Sequence, residues 1–513
     1  MTALALHTAD PRDALAAAAL ASVPDETLRV YLGGRRWFGA KGRALQSVRV
    51  EGTIPVSWPS APEEPYAIAI VRLELDAGTV LRYQLPLGLL GVGETEDEHT
   101  LALVESGGAV RHAIVDATLL PAFRGGLANA FRTGATFQAD GRSWRVEAIG
   151  SGGVELPHES KVGGAEQSNT SIIYGTEAIC KLFRRLEPGE NPDVEIARFL
   201  TMRTQFRNTP QLLGVITMEE RDVHCVAGML SRFQPHSRDA WAHALQHIDA
   251  YLGAADRGEP GNPFSDESRQ LGMVTRALHE ALSSDEDDPA FAPSFATDGE
   301  VRRWSEAAAS RLADAMELLA ARAGTLEEPT QAHARALLQR RDALEDRVRG
   351  FADEVLEAGD AGMRIRHHGD YHLGQVLRTR DDQWMIIDFE GEPARPLEER
   401  RARHSPLRDV AGMMRSFAYA AAAGAMHTGG VGRDPRVEIR ASRWEREARE
   451  HFLGGYLGTR GPAADALLPS TPAGTAALLA LFEAEKLFYE LGYELDNRPA
   501  WAWIPLRGIA KLL

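Results

Sequence analysis

Cysteine is nearly absent from the chain: Cys180 and Cys225 are the only two in 513 residues, and both sit in apolar surroundings. That excludes a disulfide framework and a thiolate zinc site, and it fits a reducing, cytoplasmic setting. Long apolar runs are missing as well. The alanine-rich stretch 418–423 is too short and too weakly hydrophobic to cross a bilayer, and the alanine- and leucine-rich start lacks the basic flank of a signal peptide. No membrane anchor is expected. Runs of lysine and arginine are lacking too, against a formal charge of −16, so nucleic acid and anionic membrane surfaces would be repelled. An anionic ligand must then be held by local cations.

What is present is an ordinary globular composition, 44% hydrophobic and 25% charged, in a chain longer than one core usually supports. The patterning predicts an α+β protein in three units. Residues 1–130 combine a short helix near 13–22 with alternating segments at 67–75 and 80–85, which read as antiparallel strands. Residues 131–235 hold strand candidates at 136–138, 144–149, 171–174, 178–183 and 223–230, with one helix among them. Asn191 is placed to cap that helix, Pro192 suits its first position, and Asp193 and Glu195 favour its positive end. Residues 236–513 turn to amphipathic helices, including 237–252, 265–282, 301–323, 330–358 and 476–495. The exception is a hairpin-like pair, 364–379 and 384–389, around Arg380-Asp381-Asp382. The Asp-, Pro- and Ser-rich stretch 283–299 reads as a mobile loop.

The chemistry concentrates in His368-Gly369-Asp370-Tyr371-His372-Leu373-Gly374-Gln375 and, after a gap, Ile386-Ile387-Asp388-Phe389-Glu390. Phosphoryl transfer to a hydroxyl needs a carboxylate to orient the nucleophile, oxygen ligands for Mg²⁺ and cations on the phosphates. Asp370 and Gln375 keep the five-residue interval between base and amide ligand. Asp388, after two apolar residues, stands where a second metal-binding acid belongs. Upstream, Lys181 follows the apolar run Ala178-Ile179-Cys180, as a phosphate-reaching strand lysine does, and Glu195 lies fourteen residues on as its partner. Gln167, Ser168, Asn169, Thr170 and Ser171, with Glu166, form a small polar turn suited to covering a triphosphate. Such a turn also has many uses unrelated to nucleotides. The blander reading of Lys181 and Glu195 is a solvated surface pair.

Two other readings of the same residues stand beside this one. His368, Asp370 and His372 alternate along a possible strand and would suit a metal-dependent hydrolase. A nucleotide-binding regulatory module without catalysis is the third, disfavoured because no member of the catalytic set is missing.

With these motifs, and with Arg36-Trp37-Phe38-Gly39-Ala40-Lys41-Gly42-Arg43, Lys181 to Pro192, Ser405 to Ser416 and Glu485 to Pro499, the chain resembles bacterial maltokinases. These are relatives of the aminoglycoside phosphotransferases in the protein-kinase-like superfamily. The resemblance implies a bilobal kinase fold with a β-rich N-lobe, a largely helical C-lobe and an N-terminal α+β cap. It implies ATP plus maltose giving ADP plus maltose 1-phosphate, a product that feeds α-glucan and glycogen synthesis. Asp370 would be the catalytic base, Gln375 and Asp388 the Mg²⁺ ligands, and Lys181 the phosphate contact. Association with a trehalose synthase follows from the same likeness, although none is fused to this chain. The Gly-x-Gly-x-x-Gly loop of general kinases is absent. Another sugar or amino sugar, such as glucosamine, is the alternative substrate.

A neutral sugar is held by carboxylates, amides and aromatic faces. Lys486, Tyr489, Glu490, Tyr493 and Asn497 share one face of the C-terminal helix by i, i+3 and i+4 spacing, and Arg408 and His368 are further candidates. The two tyrosines are equally explained as core residues, and Arg36-Trp37-Phe38 as a packing element.

Overall fold

The computed structural model describes residues 4–94, 97–150, 154–164, 168–253, 262–393, 395–429, 434–458 and 466–513. Residues 1–202 with 210–235 make one unit, and residues 203–209 with 236–513 make a second.

The first unit is built on two sheets. In one, the strands run in the order Ala5–Thr8, Thr100–Ser106, Ala109–Asp116, Val80–Gly91, Ala61–Leu75, Leu45–Trp58, and Arg185–Leu186 pairs with the near end of Val80–Gly91. In the other the order is Ala135–Ala139, Arg142–Ala148, Leu212–Glu220, Val223–Arg232, Ala178–Phe183, Asn169–Tyr174, Ser160–Val162. Both sheets contribute to one apolar cluster, with Trp58, Tyr66 and Ile68 from the first and Trp144, Ile172 and Leu182 from the second. Buried Gln84 fastens them further. Its amide donates to the carbonyls of Phe183 and Ala227 and accepts from the Trp144 indole. Trp37 and Phe38 are buried against Tyr83, and the Arg184 guanidinium lies over the Trp37 ring at 4.9 Å, so this string packs the core as its composition suggests.

Alternation explains where the second sheet sends its side chains. Ser171 pairs with Lys181, and Lys181 with Met229, so these three share one face. Thr170 belongs to the opposite face, where its hydroxyl accepts from Arg184 Nε at 2.8 Å. The Pro192–Arg203 helix starts as its sequence requires, with the Asn191 side chain accepting from the Asp193 amide at 2.8 Å.

The second unit is mainly helical. The Leu407–His427 helix is buried on nearly all sides, which its alanine, methionine and glycine content permits, and its neighbours include Ala240–Gly253, Pro435–Gly458 and Pro472–Asn497. Pro472–Asn497 also packs on Asp298–Arg322 and Arg341–Glu357. Ser265–Leu282 and Pro435–Gly458 cross with their backbones nearly touching: a Cβ on Gly272 would meet the Phe452 carbonyl oxygen at 2.0 Å, and one on Gly455 the Arg269 carbonyl oxygen at 2.0 Å.

Three expectations need correction here. The helix expected over 330–358 is two, Thr330–Leu338 and Arg341–Glu357, because Arg340 leaves helical geometry at φ −111° and ψ 18°. The strand expected over 364–379 is confined to Met363–Arg364 and Val376–Arg378, with His368 to His372 in a loop between them. The stretch 283–299 is fastened: Asp285 accepts from the amides of Asp287 and Asp288, and Ser294–Phe295 pairs with Met363–Arg364.

Candidate active site

The loop that carries Asp370 is fixed at both flanks. Buried Asp409, near the start of the Leu407–His427 helix, accepts from the His368 amide at 2.7 Å and the Gly369 amide at 2.9 Å. Its other partner is His279, 3.1 Å away, whose second ring nitrogen meets the Tyr456 hydroxyl at 2.9 Å. Burial alone would raise the Asp409 carboxyl, but His279 and the neighbouring imidazoles outweigh it and hold the group well below the usual carboxylate range. Gly369 turns the chain at φ 84°, a conformation that only glycine adopts without strain. Gly412 lets the loop lie on the helix backbone, since a Cβ there would fall 2.6 Å from the Tyr371 carbonyl oxygen.

His368 joins this loop to the strand that leads to Asp388. Its Nε2 donates to the Ile387 carbonyl at 2.9 Å, which leaves Nδ1 to accept from the Asp370 amide at 3.4 Å. The residue is buried and both ring nitrogens meet backbone groups, so it ties this loop to the strand before Asp388. The hairpin Val376–Arg378 and Trp384–Ile386 pairs Val376 with Ile386, and the Ile387 amide donates to the Gln375 carbonyl at 3.0 Å. That register brings Gln375 and Asp388 to the same end of the hairpin. Asp388 lies at φ 67°, a left-handed conformation that aspartate tolerates better than most residues and that concentrates at functional sites. Oxygen ligands of this kind, an amide and a carboxylate, suit a hard cation such as Mg²⁺.

Asp370 faces a charged wall that the sequence reading saw only in part. Lys486 Nζ lies 3.3 Å from Asp370 Oδ1 and 3.3 Å from Glu392 Oε1. Glu392 also holds Arg395 at 2.5 Å, and Glu485 gathers Arg408 at 2.9 Å, Arg395 at 3.2 Å and Arg311 at 3.3 Å. Burial would lower the Lys486 ammonium, yet Asp370 and Glu392 overcome it and hold the amine above its ordinary value. Burial would likewise raise Glu392, but Lys486 and Arg395 pull it down to about 2. His372, 3.9 Å from Asp370, is shifted down by burial against the pull of that carboxylate.

Next to this wall opens a cleft of about 310 Å³, and Gly412, Lys486 and Tyr489 border both spaces. Aromatic pairs give it faces: Tyr489 with Tyr493 at 6.4 Å and 24°, and Tyr419 with Trp501 at 6.3 Å and 16°. Its carboxylates are matched by cations. Arg415 grips Glu490 through two nitrogens, the shorter contact 2.8 Å, and Glu494 takes Arg498 at 2.6 Å and the Tyr419 hydroxyl at 3.0 Å.

Lys486, Tyr489, Glu490 and Tyr493 therefore line the cleft as their helical stripe predicts, and Arg408 borders the space beside Asp370. Asn497 does not join them. It is exposed, and its amide donates to the Tyr493 carbonyl one turn back. Arg311, Glu392, Arg395 and Trp501 were not singled out, and Glu485 and Arg415 stood only inside longer strings; apart from the local Glu392–Arg395 pair, these contacts come from far along the chain. The hydrolase reading fails on local geometry. His368, Asp370 and His372 lie in a loop, so they do not alternate toward one face, and among the described residues they do not gather as a metal-binding set.

In the first unit, Lys181 Nζ lies 3.2 Å from Asp193 Oδ2, a partner the sequence reading overlooked, and Glu195 stands in the same first turn. Asn169 and Ser171 lie on the Lys181 face, Ser168 is exposed just before the strand, and Thr170 points away. Gln167 and Glu166 lie outside the described residues.

Residues 31–119 match the model of the maltokinase N-terminal cap domain. A relative from Streptacidiphilus jiangxiensis named glucosamine kinase is 27% identical over 353 residues, 68% of this chain and 72% of its own. Another glucosamine kinase, from Mycolicibacterium smegmatis, is 28% identical over 351 residues, 68% of this chain and 78% of its own. Among solved structures, a glucosamine kinase in complex with glucosamine, ADP and inorganic phosphate superposes with a TM-score of 0.64 at 20% identity, covering 96% of this chain and 98% of that one. A second crystal form of glucosamine kinase gives 0.66 at 21%, covering 97% and 99%. The fold is thus protein-kinase-like with an N-terminal cap, and the relatives support kinase chemistry.

Proposed function

We propose, for a chain that carries a maltokinase-type cap on a protein-kinase-like fold, that it transfers the γ-phosphoryl group of ATP to the anomeric hydroxyl of maltose, giving maltose 1-phosphate. The observation that carries this reading is Asp370, held by Lys486, which also borders an aromatic-walled cleft. Asp370 hydrogen-bonds the attacking hydroxyl and takes its proton late in the transfer. Lys486 and the arginines on Glu485 and Glu392 supply positive charge beside that point. Lys181, on its strand, contacts the phosphates, and Asn169 and Ser171 share its face. Gln375 and Asp388 would hold Mg²⁺, which when bound neutralises charge on the triphosphate. The product then enters glucan synthesis, and a trehalose synthase is the source of maltose that the family likeness points to.

The cleft supports a neutral disaccharide in two ways. It has two aromatic pairs, where a single pyranose ring needs one face. Glu490 and Glu494, the carboxylates in its wall, already have arginine partners, so an ammonium group would have to compete with Arg415 and Arg498. Glucosamine is the second reading, favoured by the names of the relatives. Phosphorus NMR of the product from maltose and Mg-ATP, beside rates on glucosamine, tests the choice. An anomeric phosphate on maltose is expected. Faster turnover of glucosamine would replace maltose as the substrate, and no turnover of either would remove the proposal.

A further inference from the structure

We propose that His243, His247 and Glu267 form a second metal site, for a divalent transition-metal ion of the zinc class, separate from the phosphoryl-transfer centre. His243 and His247 stand four residues apart on the Ala240–Gly253 helix, so both imidazoles leave the same face, with ring centroids 4.6 Å apart. Glu267, in the first turn of Ser265–Leu282, reaches both. One carboxylate oxygen is 2.6 Å from His243 Nε2 and the other is 3.4 Å from His247 Nε2. One ligand atom from each residue falls within 4.8 Å of the others. Tetrahedral bonds of about 2.0 Å place ligand atoms roughly 3.3 Å apart, so small side-chain rotations close the set.

The donor chemistry selects the ion. Two imidazoles and one carboxylate match zinc-like ions, whereas Mg²⁺ prefers an all-oxygen shell. The three side chains are 11%, 23% and 20% exposed, which holds the ligands firmly yet leaves a fourth position for water. His243 Nδ1 is buried without a hydrogen-bond partner, so the ring is oriented by its Nε2 contact to Glu267 alone. Arg378, 3.9 Å from Glu267 and stacked over Trp384, is the charge the ion must compete with, and it makes the site weaker than a closed structural zinc centre.

Bound there, the ion would clip two helices together. It would also brace the hairpin that leads to Asp388, because Trp384 Nε1 donates to the Glu267 carbonyl at 3.1 Å. The site does no chemistry and does not depend on the identity of the sugar.

The test titrates the full chain, stripped with chelator and kept in Mg²⁺, with ZnCl₂ by calorimetry and with Co²⁺ by visible absorption. One zinc equivalent is expected in the wild type and in Asp388→Asn. His247→Asn and Glu267→Gln should each weaken it by more than the roughly 10–100-fold that loss of an outer-shell partner costs. Zinc should raise the melting temperature of the wild type and not of His247→Asn. Because a variant can fail to fold, carbethoxylation of wild-type His243 and His247, read by peptide mass, is compared with and without zinc. Protection of those two residues supports the site. No zinc equivalent in the wild type, an equivalent that survives both variants, or equal carbethoxylation with and without zinc overturns it.

Discussion

Lys486 Nζ stands 3.3 Å from Asp370 and 3.3 Å from Glu392, so one cation spans the loop that bears the proposed base and the segment just past Asp388. The pair links residues 116 positions apart in sequence. If Lys486 orients Asp370, the two act as a unit. Asp370→Asn should lower turnover on the order of 10²–10⁴-fold, and Lys486→Met should lower it by a smaller factor. Adding Lys486→Met to Asp370→Asn should then change little, because coupled sites are not additive. Full multiplicative loss in the double variant would mean that Lys486 acts independently of Asp370.

The cleft makes a prediction about substrate length. Trp501, stacked on Tyr419, borders the same cleft as Lys486 and supplies one of its aromatic faces. Trp501→Ala should raise KM for maltose on the order of tenfold, the ratio for about 1.4 kcal/mol, with kcat nearly unchanged. Any activity on glucose should be less affected. An equal change for both sugars would place the second ring elsewhere.

Acid should destabilise the protein in a defined order. His367 is buried and its pKa is pushed down to about 3, from an ordinary value of 6.5. The unfolded chain binds that proton first, so stability falls as pH drops from about 6.5 toward 3. Glu392, held down to about 2 from 4.5, adds stability that is present above 4.5 and lost as pH falls toward 2. Its share is on the order of 3 kcal/mol. Denaturation midpoints of wild type and Glu392→Gln should differ at neutral pH and converge in that lower window. A constant gap between pH 7 and 2 would rule out the ion pairs as the cause.

Two glycines separate packing from propensity. Gly272→Ala drives a methyl group into the Phe452 carbonyl and should cost about 1–3 kcal/mol. Gly492→Ala, with nothing within 4 Å of the added carbon on the Pro472–Asn497 helix, should stabilise by up to about 1 kcal/mol. Urea unfolding of the two variants reads the opposite signs. A neutral Gly272→Ala would show that the helices part without penalty.

Local signals were legible where local physics decides. The Asn191 cap, the strands Asn169–Tyr174 and Ala178–Phe183, and the hairpin before Asp388 follow from capping and alternation. The spacing of Gln375 and Asp388 puts the two at one end of the hairpin because its register converts spacing into proximity. The break at Arg340 has no glycine or proline to announce it. Glu392, Glu485 and Arg311 were harder to read for a different reason: each is an ordinary charged residue, and the contacts Lys486–Glu392 and Arg311–Glu485 join segments far apart in sequence. Asp193 was read only as a helix-start acid, because sequence spacing does not say which carboxylate of a first turn faces a neighbouring strand.

The contact at Gly412 has a wider consequence. The helix whose bare backbone carries the Tyr371 carbonyl also presents Arg415 and Tyr419 to the cleft. A helix that both seats the Asp370 loop and lines the cleft cannot be retuned at one end alone. Evolution toward a new acceptor would therefore be expected to alter side chains on the opposite wall, along Pro472–Asn497, and to leave the Gly412 helix in place.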